Sequence, residues 1–208
     1  TATTEATGNF TFTGTVDLTK GNIISTGGTD IASGATMTTM VSGGTSGYIT
    51  PISTMYTYGG GEATLAAAGL SVSDLLYDPI AALSSGGTNS TTAALMIQTG
   101  QSMLTLLSNA SAIVSSASST TSSVDSLIAV MSQVKTLAAA GTSVSNILSD
   151  TTNMTSVLTG ALTSIVGSDD ISTYTDLISN SASAISTVNN SLMSLSYADM
   201  KSGQNEQR

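Results

Sequence analysis

An apolar residue at every seventh position through the middle of the chain constrains this sequence more than anything else in it. Met103, Ala110, Ala117, Val124, Met131 and Ala138 stand seven apart, and Leu106, Ile113, Thr120, Leu127 and Val134 sit three residues further on. This is heptad spacing over five repeats, and it predicts a long amphipathic helix over about 92–140. Leu107, Val114 and Ile128 widen the stripe. If continuous, such a helix runs roughly 70 Å at about 1.5 Å per residue. The polar stretch Ser118-Ser119-Thr120-Thr121-Ser122-Ser123 is the place for a break.

A return follows. Gly141 closes the first run, and Ser143 or Ser145 suits the cap of the next. Ile147, Met154 and Ala161 repeat at seven, with Thr151, Leu158 and Ile165 between them, predicting a helix over about 145–166. Gly167-Ser168-Asp169-Asp170 reads as a break whose acids suit a helix N-cap. Ile171, Tyr174, Ile178, Ser181, Ile185, Val188, Leu192 and Leu195 then predict a last helix over about 171–199. The outgoing and returning runs match in length, so the expected arrangement is a long antiparallel helical hairpin turning near 140–145. Its packing stripe is Met103, Leu106, Ile113, Val124, Leu127, Met131, Ile178, Ile185 and Leu192. The opposite faces carry Ser, Thr and Asn, which are middling helix formers, so these helices lean on packing.

The front of the chain has a different period. Phe10, Phe12, Val16 and Leu18 alternate with Thr11, Thr13, Thr15 and Asp17, the pattern of a half-buried strand. Ile23-Ile24, Ile31, Met37 and Met40-Val41 follow, separated by Gly-rich turns, which predicts several short strands. Pro51 marks the change of character, and Asp74 to Asp78 reads as a short helix stopped before Pro79. The expected fold is therefore α+β, with a small β-rich region over 1–50 and a mainly α-helical body over 51–208.

One internal echo stands out. Residues 64–78 and 136–150 agree at 11 of 15 positions with an offset of 72. Both read as a helix end, a Gly C-cap and a Ser-x-Ser start, a duplicated helix-turn-helix corner.

Composition narrows the function. Charged residues make up 8% of the chain, against about 25% in ordinary domains. There are 13 acids against Lys20, Lys135, Lys201 and Arg208, for a net charge of -9. No basic patch is there to neutralise phosphates, so nucleic acid is an unfit partner. An anionic membrane surface is equally unfit. Polar residues such as Gln98, Gln101 and Asn109 interrupt the uncharged stretch 79–124, so no membrane span is expected. There is no Cys and no His, which removes disulfides, thiolate zinc sites and the commonest bases and nucleophiles. No catalytic residue and no cofactor are expected.

Calcium is the metal whose hard-oxygen preference suits this inventory. Asp17, Asp30, Glu62, Asp74 and Asp78 are the acids in range, with Asp30 and Asp78 the candidates, although both residues also suit turns and caps. Gly59-Gly60-Gly61 lacks the following Lys-Ser or Lys-Thr of a phosphate loop and reads as a connection.

The segments 27–34, 49–54, 68–82 and 93–98 carry a resemblance. The quoted motifs are Gly-Gly-Thr-Asp-Ile-Ala-Ser-Gly, Ile-Thr-Pro-Ile-Ser-Thr, Asp-Leu-Leu-Tyr-Asp-Pro-Ile-Ala-Ala and Ala-Ala-Leu-Met-Ile-Gln. Together they resemble a segment of large secreted bacterial surface proteins, adhesin-like chains in which it often follows Ig-like or cadherin-like repeats. The resemblance implies an extracellular or cell-surface setting and a structural or adhesive role.

The expected function is a secreted, self-assembling structural subunit of an extracellular filament, sheath or matrix. Its partners would be copies of itself, joined by exchange of the strand bearing Phe10, Phe12, Val16 and Leu18. The alternative is a cell-surface binding module of adhesin type with a glycan or cell-surface partner.

Overall fold

A computed structural model describes residues 2–3, 10–13, 17, 21–27, 39–43 and 48–206. Two three-residue strands, β1 (Ile23–Ser25) and β2 (Met40–Ser42), pair antiparallel with Ile24 opposite Val41. Helices follow: α1 (Pro51–Tyr58), α2 (Glu62–Ala67), α3 (Pro79–Ser85), α4 (Ser90–Ala117) and α5 (Ser123–Ala139). They continue as α6 (Val144–Ser149), α7 (Thr151–Val166), α8 (Thr175–Met193) and α9 (Tyr197–Glu206), with 3-10 turns at Val72–Leu76 and Ile171–Tyr174. The described residues are thus mainly helical, with a small antiparallel sheet near the N-terminus.

The expected long helix is broken. α4 ends at Ala117 and α5 begins at Ser123, because Ser122 starts a new helix with its own capping box. The Ser122 hydroxyl accepts from the Asp125 N–H at 3.1 Å, and the Asp125 carboxylate accepts from the Ser122 hydroxyl at 2.7 Å. Local capping chemistry outweighs the heptad here, since Ser and Thr compete for backbone groups inside a helix. The restart also resets the helical phase. Ile128 is exposed and Val130 is buried, whereas heptad counting places Ile128 in the stripe.

The return is broken as well, at Asp150, whose carboxylate accepts from the Asn153 N–H at 2.9 Å and starts α7. The helix predicted over about 171–199 opens with the 3-10 turn Ile171–Tyr174 and ends as α8 at Met193, a separate α9 follows from Tyr197, and Val188 and Leu195 are exposed. Its core-facing positions are Ile178, Ala182, Ile185 and Asn189. The polar Asn189 therefore occupies the place that the sequence assigns to Val188. Asp170 makes no capping bond with its side chain, so the acidic pair is a turn and not a cap.

One core joins α1, α2 and α4 to α8. Of the stripe, Met103, Leu106, Ile113, Leu127, Met131, Ile178 and Ile185 are buried in it, while Val124 and Leu192 are half-buried. Fully burying a side chain of this size contributes about 1.5–3 kcal/mol. A smaller core forms where Leu83, Ala93 and Ala94 meet Tyr197 and Met200 of α9. The Tyr197 hydroxyl donates to the Leu83 carbonyl at 3.2 Å. Burial, then the Asp74 carboxylate, pushes the Tyr77 phenol beside it above its ordinary value. The Ser196 hydroxyl and N–H, which donate to the Asp199 carboxylate, hold that carboxyl below its usual range at the start of α9.

The echo between 64–78 and 136–150 extends much further in the structure. Thr50 caps α1 and Ser122 caps α5, each with a capping box, and they stand 72 apart. Gly69 and Gly141 both have positive φ, +74° and +91°, and close the same C-terminal motif. Leu70 N–H donates to Leu65 O at 2.9 Å and Thr142 N–H to Leu137 O at 3.1 Å. Asp78 then caps α3 as Asp150 caps α7. At the same offset, Leu106, Ala110 and Ile113 of α4 match Ile178, Ala182 and Ile185 of α8, and all six are buried. Caps and buried positions thus recur at an offset of 72 between 50–121 and 122–193, the first and second copies of this pattern, although α3 has 7 residues where α7 has 16 and α4 has 28 where α8 has 19.

The equivalent helices α4 and α8 pack antiparallel. Gln98 Nε2 donates to Leu195 O at 2.7 Å, and Asn189 Nδ2 donates to Ser102 O at 3.2 Å. That register brings Ala110 level with Ala182, residues that stand 72 apart in the sequence.

Candidate functional site

Two differences between the first copy and the second bear on a site, one on α1 and one immediately after it. The first is a row of hydroxyls. Ser53, Thr54 and Thr57 sit at i, i+1 and i+4 and so share one helical face. That face holds β2. The Thr54 hydroxyl accepts from Val41 N–H at 2.8 Å, and the Ser53 hydroxyl donates to Val41 O at 2.9 Å. The Thr57 hydroxyl accepts from Gly43 N–H at 3.0 Å. One edge of β2 is thus paired with β1 and the other with side chains of a helix. In the second copy the equivalent residues are Asp125, Ser126 and Ala129, so the row is lost. β1 has no other strand beside it among the described residues, and Ile24 at its centre is exposed.

The second difference is Gly59-Gly60-Gly61. In the second copy Met131, Ser132 and Gln133 continue α5 without interruption. In the first copy the glycines split the same helix into α1 and α2, although each costs about 1 kcal/mol relative to Ala in a helix. Gly60 has φ +112°, and a Cβ there would lie 3.0 Å from Lys135 Cγ. The lysine stem from α5 therefore lies against the bend. Around it opens a cleft of about 460 Å³ lined by Gly43, Tyr56, Thr57, Tyr58, Gly60, Gly61 and Lys135. This volume is within the range of about 300–1,000 Å³ typical of ligand sites. Tyr56 and Tyr58 are half-buried, and the Tyr58 hydroxyl accepts from Asn22 Nδ2 at 3.5 Å.

The residues singled out in the sequence are placed elsewhere. Phe10 and Phe12 lie edge to face with centroids 5.6 Å apart. Phe10 to Thr13 form no strand, because the described residues put no partner beside them, and a strand needs one to satisfy its backbone. Val16, Leu18 and Asp30 lie outside the described residues. Asp78 is a cap: its carboxylate accepts from Ile80 N–H at 2.8 Å and Ala81 N–H at 3.2 Å. Asp74 accepts from the Ser71 N–H and hydroxyl, both at 2.7 Å. No three acidic side chains gather into a metal cage among the described residues.

Neither the hydroxyl row nor the cleft was read from the sequence. The signal for the first is Ser53, Thr54 and Thr57 standing where a helix entering a core calls for apolar residues. The cleft had no local signal, since Gly60 and Lys135 are 75 positions apart.

No protein-family model, curated protein or solved structure matches this chain. Among the described residues, no helix is long and apolar enough to cross a membrane.

Proposed function

We propose that this chain is a non-catalytic, secreted structural subunit that assembles with copies of itself into an extracellular filament, sheath or matrix. The observation that carries this reading is the one-sided sheet. The hydroxyls of α1 close β2, which leaves the outer side of β1 with no strand beside it among the described residues. Such an edge is a template for an added strand. The N-terminal segment bearing Phe10, Phe12, Val16 and Leu18 supplies a strand of fitting pattern, offered by a neighbouring copy. Helix faces of Ser, Thr and Asn, with few charges to repel, support close contact between subunits. The resemblance to segments of bacterial surface proteins points to the same setting.

In this reading the body is an antiparallel hairpin folded once at 118–122. Packing of α4 on α8 and of α5 on α7 supports that arrangement.

Negative-stain electron microscopy with size-exclusion chromatography tests the proposal on the full chain and on a variant lacking residues 1–18. Regular polymers from the full chain and monomers from the variant are expected. A full chain that stays monomeric at high concentration overturns self-assembly. Polymers from the variant overturn strand exchange.

The cleft beside Lys135 favours a second reading, a cell-surface binding module of adhesin type.

A further inference from the structure

We infer that the cleft between α1, the Gly59–Gly61 bend and α5 binds an acidic sugar, a uronic acid unit of a polysaccharide. This assignment rests on the binding-module reading and is independent of self-assembly.

Three observations converge on it. The cleft stands at a bend that the second copy lacks. The second copy builds the same helix straight, with Ile128 and Val130 where the first has Tyr56 and Tyr58. Three glycines interrupt a helix that needs no interruption, and they open the space the cleft occupies.

Lys135 supplies the second observation. In a chain of net charge -9 it lines this cleft and makes no ion pair with any described residue. Its stem passes beside Gly60, where an added Cβ would lie 3.0 Å from Lys135 Cγ, at the wall of the cleft. An ammonium with no acidic partner among the described residues, at the edge of a cleft, suits a carboxylate, through a charge-assisted hydrogen bond.

The remaining lining completes the chemistry. The Thr57 hydroxyl is already engaged, accepting from Gly43 N–H and donating to Ser53 O at 2.8 Å. Recognition therefore falls to Tyr56 and Tyr58. Both line the cleft and are half-buried, and a tyrosine ring suits the C–H face of a pyranose as its phenol suits the hydroxyls. A carboxylate on a sugar ring satisfies both halves of the site.

The test is a two-dimensional amide NMR titration of the full chain with sodium glucuronate, glucose and sodium acetate in parallel. Glucuronate is expected to shift the amides of residues 56–61 and 135, with glucose and acetate each much weaker. Lys135→Gln, at an exposed position, is expected to weaken glucuronate by about tenfold, and Lys135→Arg to retain most of it. Equal shifts from acetate alone or glucose alone overturn the assignment, as does unchanged binding by K135Q. Absence of shifts at residues 56–61 throughout the millimolar range overturns it too. A glycan array separates the two levels. Binding of a glycan away from these residues removes this site and leaves the binding-module reading standing, while silence across the array removes both.

Discussion

Thr54 is fully buried, and its hydroxyl lies within hydrogen-bond reach of three backbone groups. It accepts from Val41 N–H at 2.8 Å and has the carbonyls of Val41 and Thr50 within donating reach at 3.2 and 2.9 Å. The Val41 carbonyl has a second donor in Ser53, but the Val41 N–H has only Thr54 as a side-chain acceptor. Thr54→Val keeps the shape and removes the acceptor. It is expected to cost about 1–3 kcal/mol, the penalty of a buried donor left without a partner. Thr54→Ser, which keeps the oxygen, should recover most of that. Urea unfolding of the three proteins measures the difference, and equal midpoints for Val and Thr would show that β2 is held by something else. Asn189 plays a comparable part in the helical core, where its amide donates to Leu148 O at 2.8 Å and caps the end of α6.

At the scale of elements, the paired corners offer a direct comparison. Gly69 and Gly141 end equivalent helices at positive φ, where an L side chain pays a backbone penalty. An added Cβ at Gly141 meets nothing within 4 Å, and at Gly69 it makes ordinary contact with Leu95 at 3.4 Å. Gly69→Ala and Gly141→Ala should therefore each cost about 1–2 kcal/mol, by strain alone and in near-equal measure. Calorimetric melting compares the two, and a large inequality would mean that the corners are equivalent in shape and not in energetics. These corners were legible in the sequence because caps are local: a glycine, a serine two residues on and an aspartate seven beyond that specify them together. The wider duplication was not. Between 50–63 and 122–135 the copies share burial and capping roles with little identity, such as Met55 with Leu127 and Thr54 with Ser126. The break at 118–122 was visible only as an alternative, since periodicity and capping pulled opposite ways there. The β2 anchor was invisible because hydroxyls on a helix read as surface until a strand is placed against them.

For the molecule as a whole, the shortage of cations makes proteolysis a clean probe. Lys135 lies inside α5 with its stem against Gly60. A protease needs extended backbone, so cleavage after Lys135 requires α5 to open. Trypsin under native conditions should give no fragment ending at Lys135, and that fragment should appear only as urea approaches the unfolding midpoint. Mass spectrometry of the digest decides it, and early native cleavage there would reveal a locally unstable α5. Such resistance would suit a protein exposed to its surroundings. The duplication has a further meaning for descent. A chain holding two copies of one unit has redundancy within itself, and mutation can alter one copy while the other keeps the body folded. Thr57 against Ala129, and three glycines against Met131-Ser132-Gln133, mark where the two halves differ. One half runs a plain helix where the other holds a strand and walls a cleft.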